Sequence, residues 1–276
     1  MADDSKRTHE LTRIALGVEY DGAQFRGWQI QEPGVRTIQE SLERALSAVA
    51  DHTVTTVCAG RTDAGVHSLG QIVHFDTVAQ RPSRAWVLGV NTHLPPDVNV
   101  LWAQRVPAAF HARFSALTRW YRYVVLNRSV RSALQRTRAT RYYQPLDAEC
   151  MNEAARCLVG KQNFNAFRSR HCQAKSPVRT VYSLTVKRHD EYVILDVEAN
   201  AFLHHMVRNI AGVLLAIGSG EQPKHWLRTV LAGRDRKLGG VTAPPEGLYL
   251  MGVRYADAFQ LPRSTIKLKH LSIPHT

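Results

Sequence analysis

Alternating and periodic apolar residues divide the first part of the chain into strands and helices. The pattern predicts strands at 13–20, 53–59, 71–76 and 98–106, a helix at 38–50 after the first strand, and a helical stretch after Pro82. One helix face is apolar, and it carries Ile38, Leu42, Ala45, Leu46 and Val49. Thr37 followed by Glu40 forms a capping box, which fixes the start of that helix. The predicted order is therefore β-α-β-β-α-β.

The remainder of the chain repeats this order. Strands are predicted at 117–127, 181–188, 192–199 and 248–255, with helices at 147–159 and from Leu203, and an extra helix at 226–232. We therefore expect a mixed α/β fold of two ferredoxin-like halves, 12–110 and 111–256, related to RNA-recognition modules and forming two sheets that meet along one cleft. A polar N-terminal tail, 1–11, is expected to be disordered, and 257–276 to form a basic C-terminal tail.

Charge narrows the class of partner. The 276 residues carry a formal net charge of +13, and the isoelectric point is near 10.0. Such a surface attracts polyanions, of which nucleic acid is the commonest, whereas a membrane surface is the competing interpretation. No apolar stretch reaches spanning length, and the opening MADDSKRTHE lacks the apolar core of a signal peptide. A soluble, cytoplasmic protein is therefore expected.

The four cysteines are Cys58, Cys150, Cys157 and Cys172, and none of them forms a CxxC pair. A zinc site would require paired ligands at short spacing, and a disulfide framework is typical of small secreted chains. We therefore predict reduced structural thiols, with Cys172 exposed, and we expect no metal and no cofactor.

The run GRTDAGVH at 60–67 is the strongest candidate for chemistry. It follows a β-branched segment and precedes another strand-like run, so Arg61 and Asp63 fall at a strand end, where catalytic groups often lie. In extended chain, positions i and i+2 point the same way, which predicts a guanidinium beside a carboxylate. Gly65 would let the chain turn away after the acid. A structural ion pair at a turn fits the spacing equally well.

Further runs occur along the chain in the order expected for one family. They are YDGAQFRGWQ (20–29), RWYRYVV (119–125), FLHHMVRNIAG (202–212) and EGLYLMGVRY (246–255). Together with GRTDAGVH they resemble the tRNA pseudouridine synthases of the TruA type, whose catalytic Asp lies in a GRTDAGVHA-like motif. The resemblance extends from about residue 12 to residue 255. Ser68 stands where the family usually has Ala, and both tails lie outside the resemblance.

The resemblance implies a pseudouridine synthase fold with the active site between the halves, and a homodimer. It implies tRNA as substrate, with isomerisation of uridine at positions 38, 39 and 40 of the anticodon stem-loop. Asp63 would be the essential group, and Arg61 and Arg208 would orient it and hold the nucleotide. Tyr121 would stack on the base, with Leu248 as an apolar wall beside it. The reaction exchanges no electrons or groups with other molecules, so a cofactor is unnecessary.

The predicted helix from Leu203 separates packing residues from candidate functional ones. Its apolar stripe consists of Leu203, Met206, Val207, Ile210, Val213, Leu214 and Ile217. His204 and Arg208 lie off this stripe, one turn apart. For His204 a solvated flank and a substrate-binding role both remain open, whereas Arg208 is interpreted as functional. Gly212 is expected to allow a close packing contact.

Two arginine-rich segments without periodicity are predicted to contact phosphates. The first contains Arg128, Arg131, Arg136, Arg138 and Arg141, and the second contains Arg168, Arg170, His171, Lys175 and Arg179. We take Arg131, Arg136, Arg138, Arg168 and Arg170 as substrate-binding candidates. The cations of the C-terminal tail, Arg263, Lys267, Lys269 and His270, are expected only to keep the chain end soluble.

Strand alternation places Tyr121 and Tyr123 on one face, so by pattern alone they could equally form a core pair. The favoured hypothesis is a tRNA pseudouridine synthase. Its alternatives are a non-catalytic tRNA-binding protein or RNA chaperone and, more weakly, a membrane-surface protein. Asp63 could act as a nucleophile on the sugar or the base, or as a base that abstracts a sugar proton, and the sequence does not decide among these.

Overall fold

The computed structural model describes residues 10–262. The first half of the chain forms β1 (Thr12–Tyr20), α1 (Ile38–Ala50), β2 (Val57–Cys58), β3 (His67–Thr77), α2 (Ser83–His93) and β4 (Val98–Val106). The second half forms β5 (Thr118–Asn127), β6 (Thr140–Tyr142), α3 (Ala148–Ala155), β7 (Gly160–Asn163), β8 (Val178–His189), β9 (Tyr192–Ala199), α4 (Met206–Gly218), α5 (Trp226–Gly233) and β10 (Leu248–Arg254). The predicted mixed α/β class is confirmed.

Both halves use the same strand order. The first half has β4-β1-β3, with β2 paired to β3, and the second has β10-β5-β9-β8, with β7 added at its edge. Counting the four main strands of each half in chain order, both sheets therefore read fourth, first, third, second. The expectation of two separate sheets is wrong, because β3 and β10 pair and the described strands form one continuous ten-stranded sheet.

The joint between the halves is short and parallel. It contains two residue pairs, His67 with Tyr249 and Ser68 with Leu250. The Ser68 hydroxyl, which replaces the Ala usual in the resembling family, donates a hydrogen bond to the Leu250 carbonyl at 3.2 Å. This exchange of Ala for Ser therefore adds a side-chain bond across the joint.

The predicted strand at 53–59 is wrong except for Val57–Cys58. The Val54 N–H donates to the Ser47 hydroxyl at 2.9 Å, and the Thr56 N–H donates to a Glu43 carboxylate oxygen at 2.7 Å. Side chains of α1 thus satisfy the backbone groups that a strand partner would otherwise bind. Strand β10 pairs with His67 and Ser68 on the same edge of β3, so it limits how far β2 extends toward Asp63.

The helices follow their capping residues. The helix predicted at 38–50 is confirmed, and the Thr37 hydroxyl accepts the Glu40 N–H at 3.4 Å. The helix predicted at 147–159 is shorter, because α3 gives way to a 3-10 turn at Arg156–Leu158. Strands β6 and β7 were not predicted, since three- and four-residue strands carry too little alternation to be recognised.

Packing on the sheet also places the chain end and the cysteines. After β10, Phe259 packs edge-on against Phe110 at a ring-centroid distance of 5.1 Å, so the start of the predicted C-terminal tail lies against the first half. Residues 1–9 and 263–276, which include most of both predicted tails and the cations of the second, lie outside the described residues.

Cys172 is buried, which corrects the expectation that it is exposed. No helix in 10–262 combines the length and apolar character needed to cross a membrane.

Candidate active site

Asp63 lies on the loop between β2 and β3, beside the joint where β10 meets β3. Gly65 has φ of +78°, a conformation that favours glycine, and the chain turns there as predicted. The loop is fixed by the segment after β1. The Trp28 N–H donates to the Thr62 carbonyl at 3.0 Å, and the Gly65 N–H donates to the Phe25 carbonyl at 3.2 Å. The YDGAQFRGWQ run therefore supports the loop that carries the acid.

Three cationic or potentially cationic side chains from the second half surround the Asp63 carboxylate. His204 Nε2 lies 3.2 Å from Oδ1, His205 Nε2 lies 3.3 Å from Oδ2, and Arg208 Nη1 lies 3.2 Å from Oδ2. Both histidines precede α4, and Arg208 lies in its first turn. The Arg208 Nε–H also donates to the Ala243 carbonyl at 2.8 Å, which fixes the guanidinium toward the acid. The two halves thus share one charged cluster.

The cluster keeps Asp63 ionised. Burial raises the pKa of the Asp63 carboxyl, but the His204 hydrogen bond and the charges of His205, His204 and Arg208 outweigh it, so the pKa lies below its ordinary value. The carboxylate is still 22% exposed, and a substrate can reach it. An ionised, oriented and accessible carboxylate can serve as a nucleophile or as a base.

His205 was missed by the sequence analysis. Its backbone has φ of 63°, in the left-handed region, and α4 therefore begins at Met206 and not at Leu203 as predicted. This conformation turns the ring toward Asp63, 4.0 Å from the His204 ring. Burial lowers the pKa of His205, and the nearby Asp63 charge opposes that effect. The paired histidines in FLHHMVRNIAG were the available signal, but a helical period does not reveal a left-handed residue.

The predicted pairing of Arg61 with Asp63 is wrong. Arg61 is exposed, and among residues 10–262 no ion pair joins it to a carboxylate. Residues 61–63 lie outside any strand, so the i, i+2 alternation expected of an extended chain does not apply. The side chain that orients Asp63 is the predicted Arg208, and His204 joins it.

Tyr121 lies close to the acid, in the middle of β5. Its ring packs edge-on against Phe202 at 5.0 Å, and burial, with nearby Tyr20 and Asp63, raises the pKa of its phenol. Leu250 pairs directly with Tyr121 across the strands, whereas Leu248 pairs with Tyr123. The apolar wall beside Tyr121 is therefore formed mainly by Leu250, and Leu248 lies diagonally to it.

Several arginines of the first basic segment hold that segment together. Arg128 forms an ion pair with Glu191 at 3.2 Å, and Arg136 donates to the Ala133 carbonyl at 3.0 Å. Arg131 and Arg138 are exposed. The Arg138 carbonyl accepts the Tyr249 hydroxyl at 2.5 Å, so this segment is attached to the strand at the joint between the halves.

The second basic segment lies against the active site. The Ser169 N–H donates to the His204 carbonyl at 3.0 Å. The Arg168 guanidinium donates to the Cys172 carbonyl at 2.8 Å, which supports the turn, while Arg170 is exposed. Gly212 packs as predicted, since a side chain there would collide with the Val241 carbonyl.

The same cluster includes a set of potential metal ligands. One ligand atom from each of Asp63, His204 and His205 lies within 4.8 Å of the others. Oxygen and imidazole donors suit zinc and similar divalent ions. The Arg208 guanidinium also faces Oδ2, and its charge opposes the binding of a cation there.

The Asp63 carboxylate, held by Arg208 and two imidazoles at the junction of the two α/β halves, is the candidate catalytic group, and comparison with known proteins identifies the class of enzyme. The chain matches the family described as tRNA pseudouridine synthase over residues 17–115 and 154–256. It belongs to that family, and it is accordingly an isomerase that acts on tRNA.

The chain is similar to proteins named tRNA pseudouridine synthase A. It is 59% identical to the protein of Nitrosococcus oceani over 251 residues, covering 91% of this chain and 96% of that one. It is 56% identical to that of Alcanivorax borkumensis over 252 residues, covering 91% and 94%, and 55% identical to that of Pseudomonas aeruginosa, covering 91% and 88%. Among solved structures, it is similar to an H/ACA RNP bound to a substrate RNA containing 2'-deoxyuridine, with a TM-score of 0.34 and 12% identity over 73% of this chain and 44% of that chain.

Proposed function

We propose that this protein isomerises uridine to pseudouridine at positions 38, 39 and 40 of the tRNA anticodon stem-loop, with Asp63 as the essential catalytic group. One observation carries the proposal: the Asp63 carboxylate of the first half is held by His204, His205 and Arg208 of the second. A site built from both halves forms only in the complete fold. Binding phosphates gains nothing from a carboxylate, so an RNA-binding surface alone does not account for Asp63.

The reaction breaks the bond between C1′ and N1 of the uridine and forms one between C1′ and C5. The base rotates between these steps, the C5 proton leaves and N1 gains a proton, so no outside reactant is consumed. The carboxylate of Asp63 can attack the sugar, attack the base or abstract a sugar proton. Each role requires the ionised form, which the lowered pKa of Asp63 supplies near neutral pH.

Arg208 and the two histidines orient Asp63 and lie beside the nucleotide that enters. Tyr121 stacks on the unstacked base with its ring. Burial raises the pKa of its phenol, so the hydroxyl is protonated before the reaction near neutral pH. Leu250 and Leu248 line the apolar side of the same pocket.

Arginines whose side chains reach solvent provide the electrostatic contacts to tRNA. Arg131, Arg138 and Arg170 are exposed, and the chain as a whole has a formal net charge of +13. Affinity is therefore expected to fall linearly in a plot of log K against log salt. Replacing Arg131 and Arg138 with Gln would flatten that slope, and an unchanged slope would remove the first basic segment from the RNA-binding surface.

We also propose that the protein acts as a homodimer, as the resemblance implies, and that it is located in the cytoplasm. An L-shaped tRNA is wider than one such chain, and a second copy would extend the basic surface. Light scattering at micromolar concentration should give the mass of two chains. A monomer mass that persists with bound tRNA would exclude the dimer.

The test of the proposed function uses the purified protein and an unmodified tRNA transcript with uridine at 38, 39 and 40. Pseudouridine is expected at all three positions, and transcripts with cytidine at any one of them should lose only that product. Product at other positions would correct the substrate assignment. Tight binding without any pseudouridine would favour a non-catalytic tRNA-binding protein.

A further inference from the structure

An aromatic side chain outside the catalytic cluster projects into solvent from the connection between β4 and β5. Phe114 is 75% exposed, which is unusual for a phenylalanine in a well-packed segment. Neighbouring Phe110 and Ala112 are buried, so the segment itself belongs to the core. The ring is therefore presented to solvent on a fixed backbone.

The ring is held in place by His111. The His111 Nδ1 accepts the N–H groups of Arg113 and Phe114 at 3.2 and 3.1 Å. The imidazole stacks on the Phe114 ring at 4.3 Å with an interplanar angle of 28°. The Ser115 hydroxyl accepts the His111 N–H at 3.0 Å, which closes the turn. The imidazole thus covers one face of the ring, while the ring as a whole remains largely exposed to solvent.

This segment is attached to the loop that carries Asp63. The Arg119 guanidinium is buried, and its Nη2 donates to the carbonyls of Ala59, at 3.0 Å, and of Arg113, at 2.6 Å. Its Nη1 donates to the Asn200 carbonyl at 2.9 Å. The Arg119 side chain therefore connects three segments by hydrogen bonds: the segment before Asp63, the segment before His204 and the turn that carries Phe114.

The surroundings of the open ring are positively charged. The Arg113 guanidinium lies 5.5 Å from the Phe114 ring centroid. Arg61 and Arg113 are exposed, and neither takes part in an ion pair within the described part of the chain. An exposed aromatic ring beside the guanidinium group of Arg113 has the composition of a stacking platform for single-stranded nucleic acid.

We infer that the exposed ring of Phe114 stacks an unpaired base of the substrate RNA near the reacting uridine, with Arg113 contacting a flanking phosphate. This inference rests on the proposed function, and it adds a second contact point to the site. A second copy of the chain is a less suitable occupant, because a symmetric contact would bring the same arginines of both copies together.

The first experiment is an affinity series with an anticodon stem-loop RNA. Phe114→Ala should weaken binding by about 5- to 100-fold, the range expected for losing one stacked base. Phe114→Trp should bind like wild type, whereas Phe114→Leu, which is apolar but cannot stack in the same way, should resemble Phe114→Ala. The matched control is Leu88→Ala, since Leu88 is 53% exposed on α2, and its affinity should stay unchanged.

The second experiment places 5-iodouridine in the loop outside positions 38–40 and cross-links it by light. The cross-linked peptide should contain Phe114. Full affinity in Phe114→Leu, or cross-links confined to other peptides, would overturn the inference. A loss of dimer mass in Phe114→Ala with RNA affinity intact would assign the ring to a contact between copies instead. Wild-type turnover is assayed on the same tRNA, so a failure of the proposed function shows as absent pseudouridine while the affinity series still decides the stacking.

Discussion

The two halves share one strand order but differ in how the second strand meets the third. In the second half, β8 pairs with β9 along its length and a turn of two residues, Asp190 and Glu191, connects them. In the first half, β2 has two residues, and residues 59–66 form an eight-residue loop before β3. The first loop carries Asp63, whereas the second connection is a tight turn with Asp190 at φ of 52°.

The difference originates at the joint. Strand β10 occupies the part of the β3 edge that β2 would otherwise use, and the displaced chain becomes the loop that carries the acid. The helices differ in the same sense. Within the described residues, neither Arg81 nor Arg84 at the start of α2 forms an ion pair, whereas His204, His205 and Arg208 around the start of α4 are directed at Asp63. Two halves of the same topology thus form one site, with the acid from the first half and the guanidinium and imidazole groups from the second.

The largest expected effect is a loss of catalysis, and it distinguishes the loop that carries Asp63 from the turn that carries Asp190. Asp63→Asn removes the ionised carboxylate while preserving size, so product formation should fall by more than about 10³-fold. Binding of tRNA should hold or rise slightly, because one negative charge leaves a surface that faces phosphates. Single-turnover assays and filter binding measure the two properties.

The matched control is Asp190→Asn at the equivalent turn, where Asn also tolerates a left-handed backbone. Its activity and affinity should equal those of wild type. Activity retained in Asp63→Asn would show that the carboxylate is structural, and lost activity in Asp190→Asn would show that the comparison of the two turns is misleading.

The second effect is a smaller loss of kcat, and it distinguishes Arg208 at the start of α4 from Arg84 at the start of α2. Arg208→Lys preserves the charge but cannot bind Asp63 and the Ala243 carbonyl with one planar group, so kcat should fall about 10²-fold. Arg84 occupies the first turn of α2, and Arg84→Lys should leave kcat unchanged. Steady-state kinetics with tRNA tests both. Equal losses in the two variants would point to a general effect of surface charge.

A smaller effect concerns His205, whose left-handed backbone has no counterpart at the start of α2. His205→Ala keeps the strained conformation, whereas His205→Gly relaxes it, so the glycine variant should be more stable by about 1 kcal/mol. Urea unfolding measures the difference. Both variants lose the ring beside Asp63 and should lose activity to a similar extent. A glycine variant less stable than the alanine variant would contradict the assigned strain.

The smallest effect is the dependence of stability on pH that His74, a residue of the first half, adds. Burial, together with Arg13 and His111, lowers the pKa of His74 on β3 to about 4, whereas the corresponding strand β9 contains no histidine. Because the unfolded chain binds this proton more readily, His74 should reduce stability increasingly as the pH falls from its ordinary pKa of 6.5 toward 4. Above 6.5 the penalty vanishes.

Thermal unfolding from pH 4 to 7 measures this loss of stability at low pH. His74→Asn keeps an acceptor for the Ala112 N–H, which His74 Nδ1 accepts at 3.1 Å, but it does not titrate there. The variant should therefore show a flatter pH dependence than wild type. An identical slope would assign the acid sensitivity to other groups.

The sequence correctly predicted the features that depend on hydrophobic periodicity or on the motifs shared with the resembling family. The helix Ile38–Ala50, the repeated order of elements, and the placement of Asp63, His204 and Arg208 all follow from local pattern or from the family resemblance. The errors arose where distant chain decided the outcome. Glu43 and Ser47 capture the backbone of the predicted strand at 53–59, and the pairing of β3 with β10 fuses two expected sheets. Neither contact leaves a trace in local sequence.

His205 and Arg61 illustrate the same limit within the site. The position of the His205 ring depends on one left-handed dihedral, and that of Arg61 depends on whether the chain is extended there. Residues three apart on a helix have a predictable geometry, but loop residues do not. For that reason Arg61 was wrongly predicted beside Asp63 and His205 was missed, whereas Arg208 lies there as predicted.

The joint between β3 and β10 also has a consequence for the order in which the protein matures. The Ser68 hydroxyl and the Leu250 carbonyl that it binds are 182 residues apart in the chain. A ribosome synthesises β1 through β4 long before it reaches β10. The loop that carries Asp63 therefore cannot form its contacts with the second half until most of the polypeptide has been made. Contacts between residues so far apart in sequence form slowly. We therefore expect each new chain to gain the ability to modify tRNA only in the last steps of its folding.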